Sequence, residues 1–123
     1  MSEGPVSVLA VDDSELFRQV LRDVVRATEG FRLVGAAGSG DEALAAAEEL
    51  CPDLVIMDCH MPGMSGLEAA RRLAERDPDL VVLLVSADHP GQEQLLASKA
   101  THFVSKQQLS PALLRELWGV RAA

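Results

Sequence analysis

Short apolar segments alternate with longer segments of helical periodicity along the whole chain. The apolar segments predict five strands, at Val6–Val11, Phe31–Ala37, Leu54–Met57, Leu80–Val85 and His102–Ser105. The third and fourth are apolar throughout, which is typical of central strands covered by helices on both faces. Strands that alternate with helices in this way predict an α/β fold with a mostly parallel sheet.

The segment after the first strand has the apolar stripe of a helix that packs on one side. The stripe consists of Phe17, Val20, Leu21, Val24 and Val25. Arg18, Arg22 and Arg26 then fall on the opposite face, where we expect solvent. The sequence therefore predicts a one-sided helix between the first two strands.

Serine residues mark the starts of three further helices. Two S-x-x-E sequences predict capping boxes, formed by Ser39 with Glu42 and by Ser65 with Glu68. Ser110 before Pro111 predicts an N-cap followed by proline at the first helical position. These helices are expected to begin near Gly40, Gly66 and Pro111.

The fourth helix has the weakest signal in the chain. Pro90 and Gly91 stand at its start, and only Leu95 and Leu96 form an obvious apolar pair. We therefore expect it to be short and mobile. No repeat, low-complexity segment or linker interrupts the pattern, so residues 1–123 are expected to form a single domain.

The composition argues against nucleic-acid-binding and membrane-spanning functions. The 123 residues carry 19 acidic and 11 basic side chains, a formal charge of -8. This balance argues against direct nucleic-acid binding, which needs clustered Lys and Arg. No apolar run approaches the roughly 20 residues that span a bilayer. An extended segment separates Cys51 from Cys59 by roughly 20 Å or more, too far for a disulfide. We therefore expect a cytoplasmic protein without membrane contact.

Polar side chains gather where the predicted strands end. They are Asp12, Asp13, Asp58, Ser86 and Lys106. Ligands of doubly wound sheets bind at this carboxyl edge. Three carboxylates there repel one another, so either one pKa rises or a cation binds, and Mg²⁺ is the natural cation because it prefers carboxylate, water and phosphate oxygens. An aspartate so placed can attack phosphorus while Lys106 and the metal neutralise charge.

Each of these residues also has a purely structural interpretation. The carboxylates of Asp12 and Asp13 suit the start of a helix, and Ser86 suits a strand end. A lone lysine is usually a solvated surface residue. Asp58 is harder to explain structurally, because it follows an apolar strand directly and precedes Met61-Pro62-Gly63. The combination at four strand ends favours a functional site.

Four segments in order carry a resemblance to a known family. They are Asp12-Asp13, the segment VIMDCHMPGMSG at residues 55–66, Val85-Ser86-Ala87, and Phe103-Val104-Ser105-Lys106. Together they resemble the receiver domain of bacterial response regulators, over essentially the whole chain. The resemblance implies a flavodoxin-like (βα)5 fold with five parallel strands in the order 2-1-3-4-5, as in the family's standard example.

The resemblance also implies roles for individual residues. Asp58 would be the phosphoacceptor and Lys106 would pair with the phosphoryl oxygens. The implied magnesium ligands are Asp12, partly through water, Asp13, Asp58 and the backbone carbonyl of His60. Ser86 would move toward the phosphoryl group, and the ring of Phe103 would follow. Such a protein is not a conventional enzyme, although it catalyses its own phosphorylation and dephosphorylation.

The implied partners are proteins. A histidine kinase or a phosphotransfer protein would supply the phosphoryl group. A downstream effector protein, or a second copy of the chain, would bind the face formed by the fourth helix, fifth strand and fifth helix. Direct contact with nucleic acid or membrane is not expected.

Two positions depart from the family pattern. Gln107 follows Lys106 where the family commonly has proline, so we predict a trans bond and a differently shaped loop. Lys99 replaces a usual glycine at the end of the fourth helix, which costs about 1 kcal/mol if a left-handed conformation is needed. These departures favour an alternative function, a phosphorylation-independent interaction module. A metal-dependent phosphohydrolase is disfavoured, because His60 stands where such enzymes usually have a second aspartate.

Overall fold

Five β-strands and five α-helices alternate along residues 4–120, the part of the chain that the computed structural model describes. The elements in chain order are β1 (Val6–Val11), α1 (Glu15–Arg26), β2 (Phe31–Ala37), α2 (Gly40–Leu50), β3 (Leu54–Asp58), α3 (Gly66–Arg76), β4 (Val81–Ser86), α4 (Gln92–Ser98), β5 (His102–Ser105), a short 3₁₀ helix (Lys106–Gln108) and α5 (Pro111–Gly119). The predicted α/β organisation is confirmed.

The strands form one parallel sheet in the order β2-β1-β3-β4-β5. This order confirms the one that the resemblance implied. The predicted bounds of three strands are also right, whereas β3 is one residue longer and β4 is shifted by one residue toward the C-terminus. As a result, Asp58 and Ser86 are the last residues of their strands and their backbones remain fixed by the sheet.

Side chains of the central strands alternate between two buried clusters, one on each face of the sheet. One cluster joins the sheet to α2 and α3, with the partly buried Leu95 of α4 packed against it, and the other joins the sheet to α1 and α5. Along β3, for example, Val55 and Met57 face the first cluster while Leu54 and Ile56 face the second. Because both faces are covered, the apolar runs that predicted central strands are explained.

The serine caps fix the helix starts where the sequence predicts them. Each hydroxyl accepts a hydrogen bond of 3.1 Å from a backbone N–H of the first turn: Glu42 to Ser39, Glu68 to Ser65 and Leu113 to Ser110. Caps of this kind satisfy N–H groups that have no partner within the helix. The start of each helix is therefore determined locally.

In a capping box the glutamate side chain also accepts the backbone N–H of the serine cap. This second hydrogen bond forms in neither predicted box, so that part of the prediction is wrong. Glu42 Oε1 instead accepts the N–H of Gly38 at 2.8 Å, one residue before the cap. Glu68 pairs with two arginines on its own helix, Arg71 and Arg72. These pairs hold the pKa of Glu68 down at about 2, first through the hydrogen bond from Arg71. The side chain thus prefers charged partners to a backbone N–H.

The one-sided packing of α1 is confirmed with two differences. Leu21 and Val25 are buried, but Val20 is 40% exposed. Arg18, which was expected on the solvent face, is only partly exposed. The apolar stripe of α1 is wider than the surface that the helix packs against. Val20 lies at the margin of the stripe and is therefore partly exposed.

The fourth helix has seven residues, so its predicted shortness is confirmed. It ends at Ser98, and its C-cap, Lys99, adopts the left-handed conformation with φ 60° and ψ 22°. Lys99 therefore has the left-handed conformation in which a side chain costs about 1 kcal/mol relative to glycine. No helix of residues 4–120 combines the length and apolar character needed to cross a bilayer.

The predicted trans bond after Lys106 is confirmed, since no cis peptide bond occurs within the described residues. The chain turns there into the 3₁₀ helix instead. Both cysteines are free, as the distance argument predicts. Cys59 is buried and Cys51 is exposed.

Candidate functional site

Three aspartates meet at the carboxyl edge of the sheet. Asp12 and Asp13 follow β1, and Asp58 ends β3, the strand paired with β1. One carboxylate oxygen from each lies within 4.8 Å of the others. Asp12 is fully buried, Asp58 is 5% exposed and Asp13 is exposed, so the cluster opens to solvent on the Asp13 side.

Asp12 is held at four points. Its N–H donates to Ala37 O on β2, and its Oδ1 accepts the N–H of Ser14 at 2.8 Å. Its backbone carbonyl accepts Nη1 of Arg18 at 2.6 Å, and Lys106 Nζ lies 3.1 Å from its Oδ2. The contact with Lys106 is an ion pair without hydrogen-bond geometry, so Oδ2 stays a buried acceptor that receives no hydrogen bond.

Lys106 brings a positive charge into the cluster. Its ammonium lies 3.6 Å from Asp58 Oδ1 as well as near Asp12. It also sits 4.2 Å from the ring centroid of Phe17 on α1, a cation–π contact that guides it toward the carboxylates. The replacement of proline by Gln107 therefore leaves the lysine within reach of the site.

Burial raises the pKa of Asp58 above its ordinary value, and the charge of Asp12 raises it further. Lys106 and a backbone hydrogen bond from His60 act in the opposite direction without cancelling the rise. Repulsion between neighbouring carboxylates has the same sign as desolvation, because both disfavour the charged form. A cation placed among the three carboxylates would relieve this cost.

Gly66 fixes the chain that follows Asp58. A Cβ at this position would lie 1.8 Å from the carbonyl oxygen of Asp58, so α3 can approach the end of β3 only because residue 66 has no side chain. Its N–H donates to Cys59 O at 2.9 Å, and Cys59 N–H donates to Val85 O on β4. The S-x-x-E pattern predicts only that a helix begins at Gly66, and it does not predict this contact. The glycine directly after the N-cap is the sequence signal for such a close approach.

Ser86 ends β4, the strand paired with β3, and Phe103 lies on the neighbouring strand β5. Ser86 is buried, with 1% of its surface exposed. Its hydroxyl accepts a hydrogen bond of 3.2 Å from the N–H of Asp88. Phe103 is half-buried, and the ring of His89 meets it edge-on with centroids 4.9 Å apart. The site residues at the ends of four strands are thus brought to one edge, as predicted.

The donor set fits magnesium. Three carboxylates supply hard oxygen ligands, and Asp12 Oδ2 is a buried acceptor without a hydrogen bond. Asp13, on the open side, leaves room for water or phosphate oxygen in the remaining positions. The predicted fourth ligand, the carbonyl of His60, stays a prediction.

Residues 8–117 match the family model described as the response regulator receiver domain. Among curated proteins, the chain is similar to the response regulator GacA of Pseudomonas viridiflava, with 40% identity over 103 residues. That alignment covers 82% of this chain and 48% of GacA. The chain therefore spans about half the length of GacA.

Solved structures of response regulator proteins are also similar to this chain. The response regulator domain of Thermotoga maritima CheB is similar with a TM-score of 0.82 and 31% identity, covering 94% of this chain and 95% of that one. A chain in the crystal structure of the CheX–CheY–BeF3–Mg²⁺ complex of Borrelia burgdorferi is similar with a TM-score of 0.82 and 28% identity, over 94% of this chain and 87% of that one.

Proposed function

Because the chain belongs to the response regulator receiver domain family, we propose that it is a phosphoryl-accepting signalling switch whose acceptor is Asp58. The observation that carries this proposal is the arrangement around Asp58. Two further carboxylates lie within reach of one cation, and Lys106 Nζ is 3.6 Å from Asp58 Oδ1. The family match over residues 8–117 supports residues 1–123 as a single receiver domain.

The proposed reaction is the transfer of a phosphoryl group from a phosphohistidine. The histidine belongs to a partner kinase or phosphotransfer protein. One oxygen of Asp58 forms a bond to phosphorus while the bond from phosphorus to the imidazole nitrogen breaks, and its electron pair stays on that nitrogen. Lys106 supports the step because its charge favours the ionised form of Asp58 and balances the transferred oxygens.

Magnesium is the proposed cofactor, held by Asp12, Asp13, Asp58 and the carbonyl of His60. When bound, it neutralises charge on phosphoryl oxygens. The protein's own contribution is to orient Asp58 through β3, to exclude water on the Asp12 side and to keep Lys106 beside the acceptor. The raised pKa of Asp58 supports the metal, since a cluster that disfavours ionisation gains most from a cation.

The proposed signal passes through Ser86 and Phe103. The hydroxyl of Ser86 would leave the N–H of Asp88 for the phosphoryl group, and the ring of Phe103 would change its packing beside α4. A groove of about 220 Å³ between α4 and β5 is lined by Phe103 and by Leu96, whose side chain is 73% exposed. An apolar groove on the α4-β5-α5 face supports an effector protein, or a second copy of the chain, as the partner.

A phosphorylation-independent interaction module is the alternative. It would follow if the departures at Gln107 and Lys99 had disabled the acidic site. The position of Lys106 near both Asp12 and Asp58 argues for an intact site instead. A net charge of -8 argues against nucleic acid as the direct partner in either case.

Intact-protein mass spectrometry tests the proposal. The protein is incubated with MgCl₂ and acetyl phosphate, beside Asp58→Asn and a control, Asp79→Asn, which changes an exposed aspartate in the α3–β4 connection. We expect one phosphoryl group on the wild type and on the control, and none on Asp58→Asn or after chelation with EDTA. Equal labelling of Asp58→Asn would refute Asp58 as the acceptor, and an unlabelled wild type with a kinase as donor would favour the alternative.

A further inference from the structure

Arg18 lies on the predicted solvent face of α1, yet its side chain binds the backbone of Asp12. It lies in the second turn of α1, where the hydrophobic pattern predicts solvent. Its side chain is only partly exposed and turns back along the helix, and Nη1 donates to the carbonyl oxygen of Asp12 at 2.6 Å. A charged donor at this distance makes one of the shorter hydrogen bonds of its type.

The carbonyl that Arg18 binds belongs to the peptide that joins Asp12 to Asp13. A peptide group is planar, so fixing its oxygen fixes the direction in which the chain enters Asp13. Within residues 4–120, no hydrogen bond or ion pair is found on the carboxylate of Asp13, whereas that of Asp12 contacts Ser14 and Lys106. The position of the Asp13 carboxylate therefore depends on its backbone.

The neighbouring turn leaves space for the guanidinium. Gly38 lies against it, and a Cβ at position 38 would come within 3.2 Å of Arg18 Nη1. The same turn is held by Glu42, whose Oε1 accepts the N–H of Gly38 at 2.8 Å. The guanidinium of Arg18 therefore lies between Asp12, which follows β1, and Gly38, which follows β2.

We propose that Arg18 is a positioning residue of the magnesium site, holding the Asp12–Asp13 peptide so that the Asp13 carboxylate faces the other two. This inference rests on the proposed function, because it takes the three aspartates as the metal ligands. The direction of the change in Mg²⁺ affinity distinguishes a positioning role from a purely electrostatic one. If Arg18 acted only through its charge, removing it would tighten cation binding; a positioning role predicts the opposite.

The test is the Mg²⁺ dissociation constant of the full chain, measured by isothermal titration calorimetry at fixed ionic strength. Arg18→Met removes the donor. Arg22→Met is the matched control, because it removes the same charge one turn further along α1, where Arg22 makes only a 3.4 Å contact with Gln19. Arg18→Lys restores the charge and one donor. Thermal melts of each variant establish that it is folded at the titration temperature.

We expect Arg18→Met to weaken Mg²⁺ binding about tenfold, the lower end for residues that orient metal ligands, and Arg18→Lys to restore part of the loss. Arg22→Met should stay close to the wild type. The backbone amide of Asp13 should also shift in the NMR spectrum of metal-free Arg18→Met. If that variant does not fold, Arg18→Gln, which is too short to reach the carbonyl, replaces it with the same expectations.

Binding by Arg18→Met that equals or exceeds that of Arg22→Met would overturn the positioning role and leave the proposed function standing. A wild type that binds no Mg²⁺ at all would overturn both. The two failures are therefore distinguishable in one series of titrations.

Discussion

Replacing Gly66 by alanine tests whether the close approach of α3 to the end of β3 holds the site together. The new Cβ would lie 1.8 Å from Asp58 O and 2.8 Å from Asp58 C, and real contacts of this kind stay above 3.0 Å. The atoms it meets are backbone, so no flexible side chain can move aside. Helix α3 and strand β3 must therefore separate by about 1.2 Å.

The energetic cost follows from that displacement. Overpacking a buried position costs about 1–3 kcal/mol or more. The movement also stretches the 2.9 Å hydrogen bond from Gly66 N–H to Cys59 O, which contributes about 1 kcal/mol. We expect a loss of about 3 kcal/mol or more in the free energy of unfolding, a large part of the ~5–15 kcal/mol typical of a domain.

Urea denaturation followed by circular dichroism measures this loss. Gly119→Ala is the control, because a Cβ there meets nothing within 4 Å in the last turn of α5. The control should stay within about 1 kcal/mol of the wild type. A loss below about 1 kcal/mol for Gly66→Ala would refute the argument, since α3 would then have room for a side chain.

Three further predictions concern charge, backbone strain and thiol reactivity. Asp58→Asn should raise the free energy of unfolding at pH 7 without Mg²⁺, because the pKa of Asp58 is raised in the folded state and the wild type loses stability as pH rises through it. The gain should vanish in acid, and urea melts that show a constant difference across pH would contradict the cause. Lys99→Gly should stabilise the protein by about 1 kcal/mol in urea melts, since φ is 60° there, whereas Lys99→Ala should not; a loss with glycine would show that the side chain matters more than the strain. Ellman's reagent should modify Cys51 quickly and Cys59 only after unfolding, because burial, and then the charge of Asp58, raise the pKa of Cys59 to about 12. Two fast thiols in the folded protein would contradict that burial.

The sheet and the helix starts could be predicted from the sequence because their causes are local. Continuous apolar runs such as residues 81–85 need two covered faces, and a serine such as Ser110 caps the N–H groups next to it. The alternation of such elements leaves few ways to pack them, and the parallel sheet follows. The strand order itself came from the resemblance.

The contacts that complete the site depend on what folding brings together. Arg18 has the spacing of a surface residue, and only the end of β1 gives it a partner at 2.6 Å. Glu68 has the spacing of a capping box, but Arg71 and Arg72 compete for it on the finished helix. Periodicity reports which face a residue lies on, and it does not report which of several polar partners the side chain selects.

The loop after Lys106 has one feature with a local cause and one that depends on the fold. The trans bond follows from the absence of proline at Gln107, a local cause. That the lysine still reaches Asp12 and Asp58 depends on the 3₁₀ helix and on Phe17, which belongs to a distant part of the sequence. A departure from a family motif can thus change the loop without moving the functional group.

The most direct test of the central claim is to locate the phosphoryl group itself. The protein is treated with acetyl phosphate and Mg²⁺, reduced with sodium borohydride, which converts an acyl phosphate to the alcohol, digested, and sequenced by mass spectrometry. We expect reduction at Asp58 alone, and only when Mg²⁺ is present during phosphorylation. Reduction at another aspartate, or at Asp58 without Mg²⁺ at the same rate, would contradict it.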